Sequence, residues 1–272
     1  MYDVETLELP KVLNEVQKYA SSPLAKIKLS SLEIKNDIEE IRLMLEETEE
    51  ARLLQIKYGE LPFGGLFDLT NVINRLRLKS VLSITDFLDL ENMLYCTRNI
   101  LSFNQTNLSK EKVLYLNSYF SLLNPLKKVS EKIYNIINEN GEIYDHASDE
   151  LASIRKKIKT LDNQVRAKMQ ELLQTKAKML NESLIVIRND RMCLCVKSEY
   201  KHVLKGIIHD ESSSGSTVYI EPYSALEISN RLVGYKEDEK REINKILNEL
   251  SQFVWAYYEE IRTNYENLTI LD

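Results

Sequence analysis

Apolar residues in the middle of the chain recur at Ala147, Leu151, Ile154, Ile158, Leu161, Val165, Met169 and Leu172, in steps that mostly alternate between four and three. Such spacing keeps one face of a helix apolar and marks a heptad seam. A second pattern runs through Leu226, Val233, Ile243, Leu247, Leu250, Val254, Tyr257, Ile261 and Leu268, polar only between Gly234 and Glu242. Between them, residues 182–222 form the one sustained strand-like stretch of an otherwise helical chain. Two long arms flanking one β-rich insert predict an antiparallel helix pair with the insert at its tip. At a rise of ~1.5 Å per residue the first arm reaches roughly 50 Å. A working lever and an ordinary helical hairpin with a β decoration fit this periodicity equally well.

Within the insert, Leu184 to Ile187 and Met192 to Val196 are strand candidates joined by Arg188-Asn189-Asp190-Arg191, a hairpin pattern. Gly206 to His209 and Thr217 to Ile220 make a second pair around Ser212-Ser213-Ser214-Gly215-Ser216, and Pro222 ends the last strand. Upstream, the spacing and breakers predict helices from a Thr6 cap through Tyr19, at Pro23 to Leu32, and from an Asn36 or Asp37 cap with Ile38, Ile41, Leu45, Ala51 and Leu54 on one face. Further helices are expected at Leu69 to Arg77, Ile84 to Phe103, Lys110 to Leu122 and Leu126 to Ile137, before a turn around Gly141. The expected architecture is mainly α: a helical core over 1–146, lever helices over 147–181 and 223–272, and a β clamp over 182–222.

Composition narrows the picture. Only 7 Gly and 5 Pro in 272 residues suit long uninterrupted helices rather than a loop-rich or all-β fold. The net charge of −6 excludes a generic polyanion binder of the strongly basic kind, so any nucleic-acid contact is local. Residues 148–180 hold eight Lys+Arg against four Asp+Glu, and 224–268 hold six against nine, so the two arms complement each other in charge. Three cysteines form no disulfide framework, no window is apolar enough to span a membrane, and the start has no secretory pattern; a cytoplasmic location is expected.

Catalytic chemistry finds little footing. No phosphate-cradling G-x-x-x-x-G-K-[ST] occurs, and Ser214-Gly215-Ser216-Thr217 lacks both the lysine and the upstream glycine. His209, Asp210 and Ser212 are neighbours along one strand and loop, an arrangement that seldom converges on a nucleophile. Cys193 and Cys195 on one strand face with His202 or His209 lack a second ligand pair at zinc spacing and read as buried apolar side chains. The glutamates around 39–50 read as a solvated helix face. No catalytic, cofactor-binding or metal-binding residue is expected in the chain.

Polyanion contact is the remaining candidate. Arg188, Arg191, Lys197, Lys201 and Lys205 crowd the insert, although six carboxylates balance them. Exposed hairpin tips can set Arg188 and Arg191 on a phosphate, with Asn189 shaping the turn. Backbone N–H groups of Ser212, Ser213, Ser214, Gly215 and Ser216 offer an anion nest, with a solvated turn as the plainer alternative.

Ile185-Val186-Ile187-Arg188-Asn189-Asp190-Arg191, Val196-Lys197-x-Glu199-Tyr200 and Gly206-Ile207-Ile208-His209-Asp210-x-Ser212-Ser213-Ser214-Gly215-x-Thr217-x-x-Ile220-Glu221-Pro222 closely resemble the signature of the second bacterial MutS paralogue family. Ser21-Ser22-Pro23-Leu24, Leu61-Pro62-Phe63-Gly64-Gly65 and Gly141-Glu142-Ile143-x-Asp145-x-Ala147-Ser148-x-Glu150-Leu151-x-x-Ile154-Arg155 look like further family landmarks in order. The chain departs at Met192 and Cys195, where the family usually has an aromatic residue and proline. The resemblance implies a helical core, two lever helices and a β clamp. It also implies a longer protein that continues into an ABC-type ATPase using ATP and Mg, and usually into a Smr nuclease, neither expected in these 272 residues. Family members are homodimers through the ATPase region and are connected with branched DNA and with collided ribosomes, hence ribosomal RNA. The implied function is a non-catalytic module that engages nucleic acid or the ribosome. The alternative is a structural coiled-coil scaffold whose β tip binds a protein.

Overall fold

A computed structural model of the protein describes residues 8–32, 34–109 and 111–272. The chain divides into two compact units, one built from the described residues up to Tyr144 together with Leu247–Asp272, the other from Asp145–Ile246. The expected Thr6 cap lies outside the described residues.

The first unit is helical. Its sequence-ordered elements are α1 (Leu9–Val16), α2 (Pro23–Ser30), α3 (Ile38–Tyr58), α4 (Thr70–Arg77), α5 (Ile84–Phe103), α6 (Asn117–Leu122) and α7 (Lys127–Tyr134). Short polar side chains start them where expected: Ser22 Oγ accepts the Ala25 N–H, Asp37 accepts from Glu39 and Glu40, and Ser83 forms a capping box with Asp86. The core centres on α5, whose Phe87, Leu90, Met93, Leu94 and Ile100 are fully buried.

Two expectations shift here. The helix expected over 110–122 begins only at Asn117, because the Glu50 carboxylate accepts the backbone N–H groups of Leu114, Tyr115 and Leu116 at 2.6–2.9 Å and holds that segment open. Lys110 itself lies outside the described residues. On α3 the shared apolar face is largely uncovered: Ile38, Ile41 and Leu45 are exposed, and only Ala51 and Leu54 are half-buried.

The second unit holds the long arms and the insert. Helix α8 (Asp149–Thr175) starts at Ser148, whose Oγ accepts the Leu151 N–H at 3.0 Å, and Asp149 and Glu150 face the positive end of its dipole. Helix α9 (Tyr223–Trp255) returns antiparallel to it. Ser148 donates to Glu242 at 2.8 Å, Arg155 to Glu239 at 2.8 Å, and Lys157 lies over the Tyr235 ring, so positions rise on one helix as they fall on the other.

The α8 seam is the expected one, with Leu151, Ile154, Leu161, Val165, Met169 and Leu172 buried. The α9 seam is not. Ala225, Ser229, Leu232, Glu242 and Ile246 are buried, whereas Leu226, Val233 and Ile243 are only half-buried. Small side chains at 225 and 229 permit close approach, Leu161 and Val165 meet Leu232 in the middle of the pair, and toward Ser148 the Arg155–Glu239 ion pair and the Ser148–Glu242 hydrogen bond join the helices. The return arm expected to run unbroken to Leu268 is two helices: α9 stops at Trp255, and α10 (Tyr258–Leu271) follows, in the first unit. Among the described residues no helix is long and apolar enough to cross a membrane.

The insert is a four-stranded antiparallel sheet of β1 (Leu180–Arg188), β2 (Arg191–Lys197), β3 (Gly206–Glu211) and β4 (Thr217–Pro222), in the order β1-β2-β4-β3. Leu194, Val196, Val218 and Ile220 turn one face of the sheet onto Val165, Met169, Leu172, Ala225 and Leu232 of the helix pair. Asn189 and Asp190 join β1 to β2 with φ of 49° and 59°, the positive pair a two-residue type I′ turn requires. Gly206 opens β3 so close to β4 that a Cβ there would lie 2.4 Å from the Glu221 carbonyl oxygen.

Candidate nucleic-acid interface

Alternation along the strands sorts the predicted contact residues. Because successive side chains leave a strand on opposite faces, Arg191, Cys193 and Cys195 share the face opposite Leu194 and Val196, with Arg191, at the turn, long enough to reach α9 as well. The register sets Cys195 opposite Tyr219, so Tyr219 and Glu221 join them, and Arg188 pairs opposite Arg191.

On that face the arginines are already engaged. Arg188 Nε is 3.1 Å from Asp210, and its guanidinium stacks over the Tyr219 ring at 4.3 Å from the centroid. Arg191 donates to Glu221 at 3.2 Å and to Asn230 of α9 at 2.8 Å. Glu221, fully buried, also meets His209 Nε2 at 2.8 Å. Asn189, at the turn, donates to the His209 carbonyl at 3.2 Å. The hairpin tip expected to present two arginines outward is thus tied back to β3, β4 and α9. Beside it a cleft is lined by Val165, Arg166, Ile187, Asp190, Val233 and Lys236.

Cys193 and Cys195 lie buried in the same face. Burial, reinforced by the nearby Glu221 charge, pushes the Cys193 thiol up to about 12. Burial and Glu182 raise Cys195 as well. Among the described residues no group of three or more His, Cys, Asp or Glu could hold a metal ion.

The lysines are placed differently. Ser198 donates its N–H to the Ser216 carbonyl at 3.1 Å, and Lys201 donates its own to the Ser198 carbonyl, so Lys197, Lys201 and the serine loop share one end of the sheet. Lys197 Nζ lies 3.4 Å from the Lys178 carbonyl; neither Lys197 nor Lys201 has a carboxylate partner among the described residues. Lys205 sits at the other end, where Tyr223 donates to its carbonyl and Gly206 pairs with Pro222.

The serine loop turns back on itself. Gly215, at φ 68°, donates to the Ser212 carbonyl at 2.8 Å; Ser212 donates to the Thr217 carbonyl at 2.8 Å, and Ser214 and Ser216 hydroxyls are 2.8 Å apart. Two of the N–H groups expected in an anion nest therefore point inward. Ser213, Ser214 and Ser216 remain exposed.

Sequence reasoning missed the Glu221, His209 and Asn230 cluster. Alternation of Val218 and Ile220 with Tyr219 and Glu221 was visible in the chain, but only the strand order brings His209 and Arg191 to one carboxylate.

No family model matches the chain. Curated relatives do. The endonuclease MutS2 of Geobacillus sp. (strain WCH70) is 35% identical over 272 residues, covering 99% of this chain and 35% of that protein. The protein of the same name from Bacillus velezensis is 34% identical with the same shares. That of Halalkalibacterium halodurans is 32% identical over 274 residues, again 99% of this chain and 35% of the relative. The chain thus spans about a third of the length of the curated relatives it matches. The family signature read along the insert and the similarity over nearly every residue agree: this chain is homologous to a region of the MutS2 proteins, the second bacterial MutS paralogue family, consistent with their N-terminal part.

Proposed function

We propose that the chain is the core, lever and clamp region of a MutS-paralogue protein, a non-catalytic module that engages nucleic-acid phosphates, on branched DNA or on the RNA of a collided ribosome. In this reading the α8/α9 pair transmits motion from an ATPase part of a longer, homodimeric protein, since a packed helix pair moves as a rigid body. Such a protein works in the cytoplasm. The observation that carries the reading is the end of the sheet where Lys197 and Lys201 stand without carboxylate partners beside the exposed Ser213, Ser214 and Ser216. Backbone contacts of this kind position a protein on nucleic acid without reading sequence.

The test compares wild type with Lys197→Gln/Lys201→Gln for binding to a four-way DNA junction and to ribosomes across a salt series. Affinity that falls steeply with salt, and is lower in the variant, supports the reading. No binding to either target overturns it. A second reading has its own observation: Ile207 and Ile208 are exposed on β3, an edge strand. A protein partner seated there gives association that hardly responds to salt.

A further inference from the structure

Helix α8 carries two stripes. One is the apolar seam; the other, through Ala152, Lys156, Lys159, Asn163, Arg166, Gln170 and Gln174, runs at the same alternating spacing along the opposite side, and all seven residues are exposed. No carboxylate lies on that second stripe. The two acidic residues of this stretch, Asp162 and Glu171, stand to either side of it, bonded to Arg166 at 2.7 Å and to Lys168 at 2.9 Å.

From this arrangement we infer that the outward stripe of α8 tracks the phosphate backbone of a nucleic-acid double helix. The inference rests on the proposed engagement of nucleic acid and adds a surface that the insert does not contain.

The cations of α8 sort by direction. Those turned toward α9 are engaged: Arg155 binds Asp145 and Glu239, and Lys157 covers the Tyr235 ring. Of the three cations on the stripe, Lys156 and Lys159 have no carboxylate partner among the described residues, while Arg166 is paired with Asp162 beside it. An ordinary solvated face looks different. On α3, Arg42 pairs with Glu39 and Arg52 with Glu49; on α9, Lys240 pairs with Glu237, Arg241 with Asp238, and Lys245 with Glu242, each three residues away. Where those faces intersperse the two signs, the α8 stripe intersperses cations with amides. Asn and Gln side chains also donate to phosphate and sugar oxygens.

Length fits the same partner. Ala152 to Gln174 covers about 33 Å at ~1.5 Å per residue, close to ten base pairs at ~3.4 Å each. Past the helix come Lys176 and Lys178, and the Lys178 carbonyl is where Lys197 reaches. The stripe therefore leads into the lysine-bearing end of the sheet without an intervening change of sign on α8.

The test measures binding of the full chain to a duplex of about 20 base pairs, as DNA and as RNA, by fluorescence anisotropy over a salt series. It uses wild type, Lys156→Gln/Lys159→Gln/Arg166→Gln, and Lys197→Gln/Lys201→Gln, with thermal melts to show that all three fold alike. The stripe variant is expected to bind about tenfold more weakly, with a salt slope shallower by roughly 2 to 3. A loss on both duplexes assigns the stripe to phosphate in general, and a loss on one alone assigns it to that helical form. Unchanged affinity and slope in the stripe variant, while Lys197→Gln/Lys201→Gln weakens binding, overturns this inference and leaves the proposed function standing. No binding by wild type overturns both.

Discussion

The two ends of the small sheet hold equal claims in the sequence and unequal ones in space. At the turn end, Arg188 and Arg191 meet Asp210, Tyr219, Glu221 and Asn230; at the serine end, Lys197 and Lys201 meet no carboxylate among the described residues. A count of charges along the insert treats all of these cations alike. Strand order decides otherwise, because β4 lies between β2 and β3 and carries its one buried carboxylate to the arginine end. Arginine's planar fork suits a buried acid and an aromatic face, whereas lysine keeps its point charge in water. One end is built to hold the sheet together, and the other is left available.

The sharpest way to break this contrast is at Glu221. Glu221→Gln removes the charge that Arg191 and His209 both face, and losing one member of a buried pair costs on the order of 3 kcal/mol. Amide hydrogen exchange over 180–222 measures it, while the fluorescence of Trp255, the only tryptophan, follows the other unit as a control. Protection equal to wild type would mean that the arginine end is not structural. Gly206→Ala perturbs the same residue at its backbone. The new Cβ would meet the Glu221 carbonyl at 2.4 Å and the Ile220 side chain at 2.5 Å, so β3 must shift, at a cost of about 2 kcal/mol.

Arg188→Ala should cost less, about 1 kcal/mol, because its partner Asp210 is half-exposed and the stacking on Tyr219 supplies the larger share. The thiols of the same face add no pH dependence near neutrality. Cys193 is held protonated up to about 12, well above an unfolded thiol, so its contribution to stability is intact below about pH 9 and falls as pH rises toward 12. Cys193→Ala should flatten the alkaline loss of exchange protection between about pH 9 and pH 11. Cys96, in the other unit and also raised to about 12, leaves its own alkaline slope unchanged. An equal slope in the variant would remove the buried-thiol explanation.

What the sequence made legible follows from how far apart in the chain the determinants lie. The α8 seam from Leu151 onward, the helix start at Ile84 and the Asn189-Asp190 turn depend on residues a few positions apart, and each lies where the spacing put it. Only the first part of the α9 seam shifts by one residue, from Leu226 and Val233 to Ala225 and Leu232, because a closely approaching partner selects for size; Leu247, Leu250 and Val254 are buried as expected. Likewise nothing near Arg191 announces Glu221, 30 residues away, and nothing near 114–116 announces Glu50. The cations of the insert can be picked out along the chain. Which of them face water is a property of the assembled sheet.

The smallest expected effect on stability belongs to the serine end, and its smallness is what gives the test its force. Lys197→Gln/Lys201→Gln removes two charges that touch no carboxylate among the described residues, so exchange protection over 180–222 should stay within about 0.5 kcal/mol of wild type. Phosphate binding, if it uses this end, should weaken and lose roughly 2 units of salt slope, one for each counterion no longer released. Arg188→Ala should do the reverse, lowering protection while leaving the slope nearly intact, because a guanidinium committed to Asp210 and Tyr219 releases few counterions when it is removed. Should both variants lower protection equally and change the slope equally, the two ends of the sheet are doing the same work, and the distinction drawn from their partners is lost.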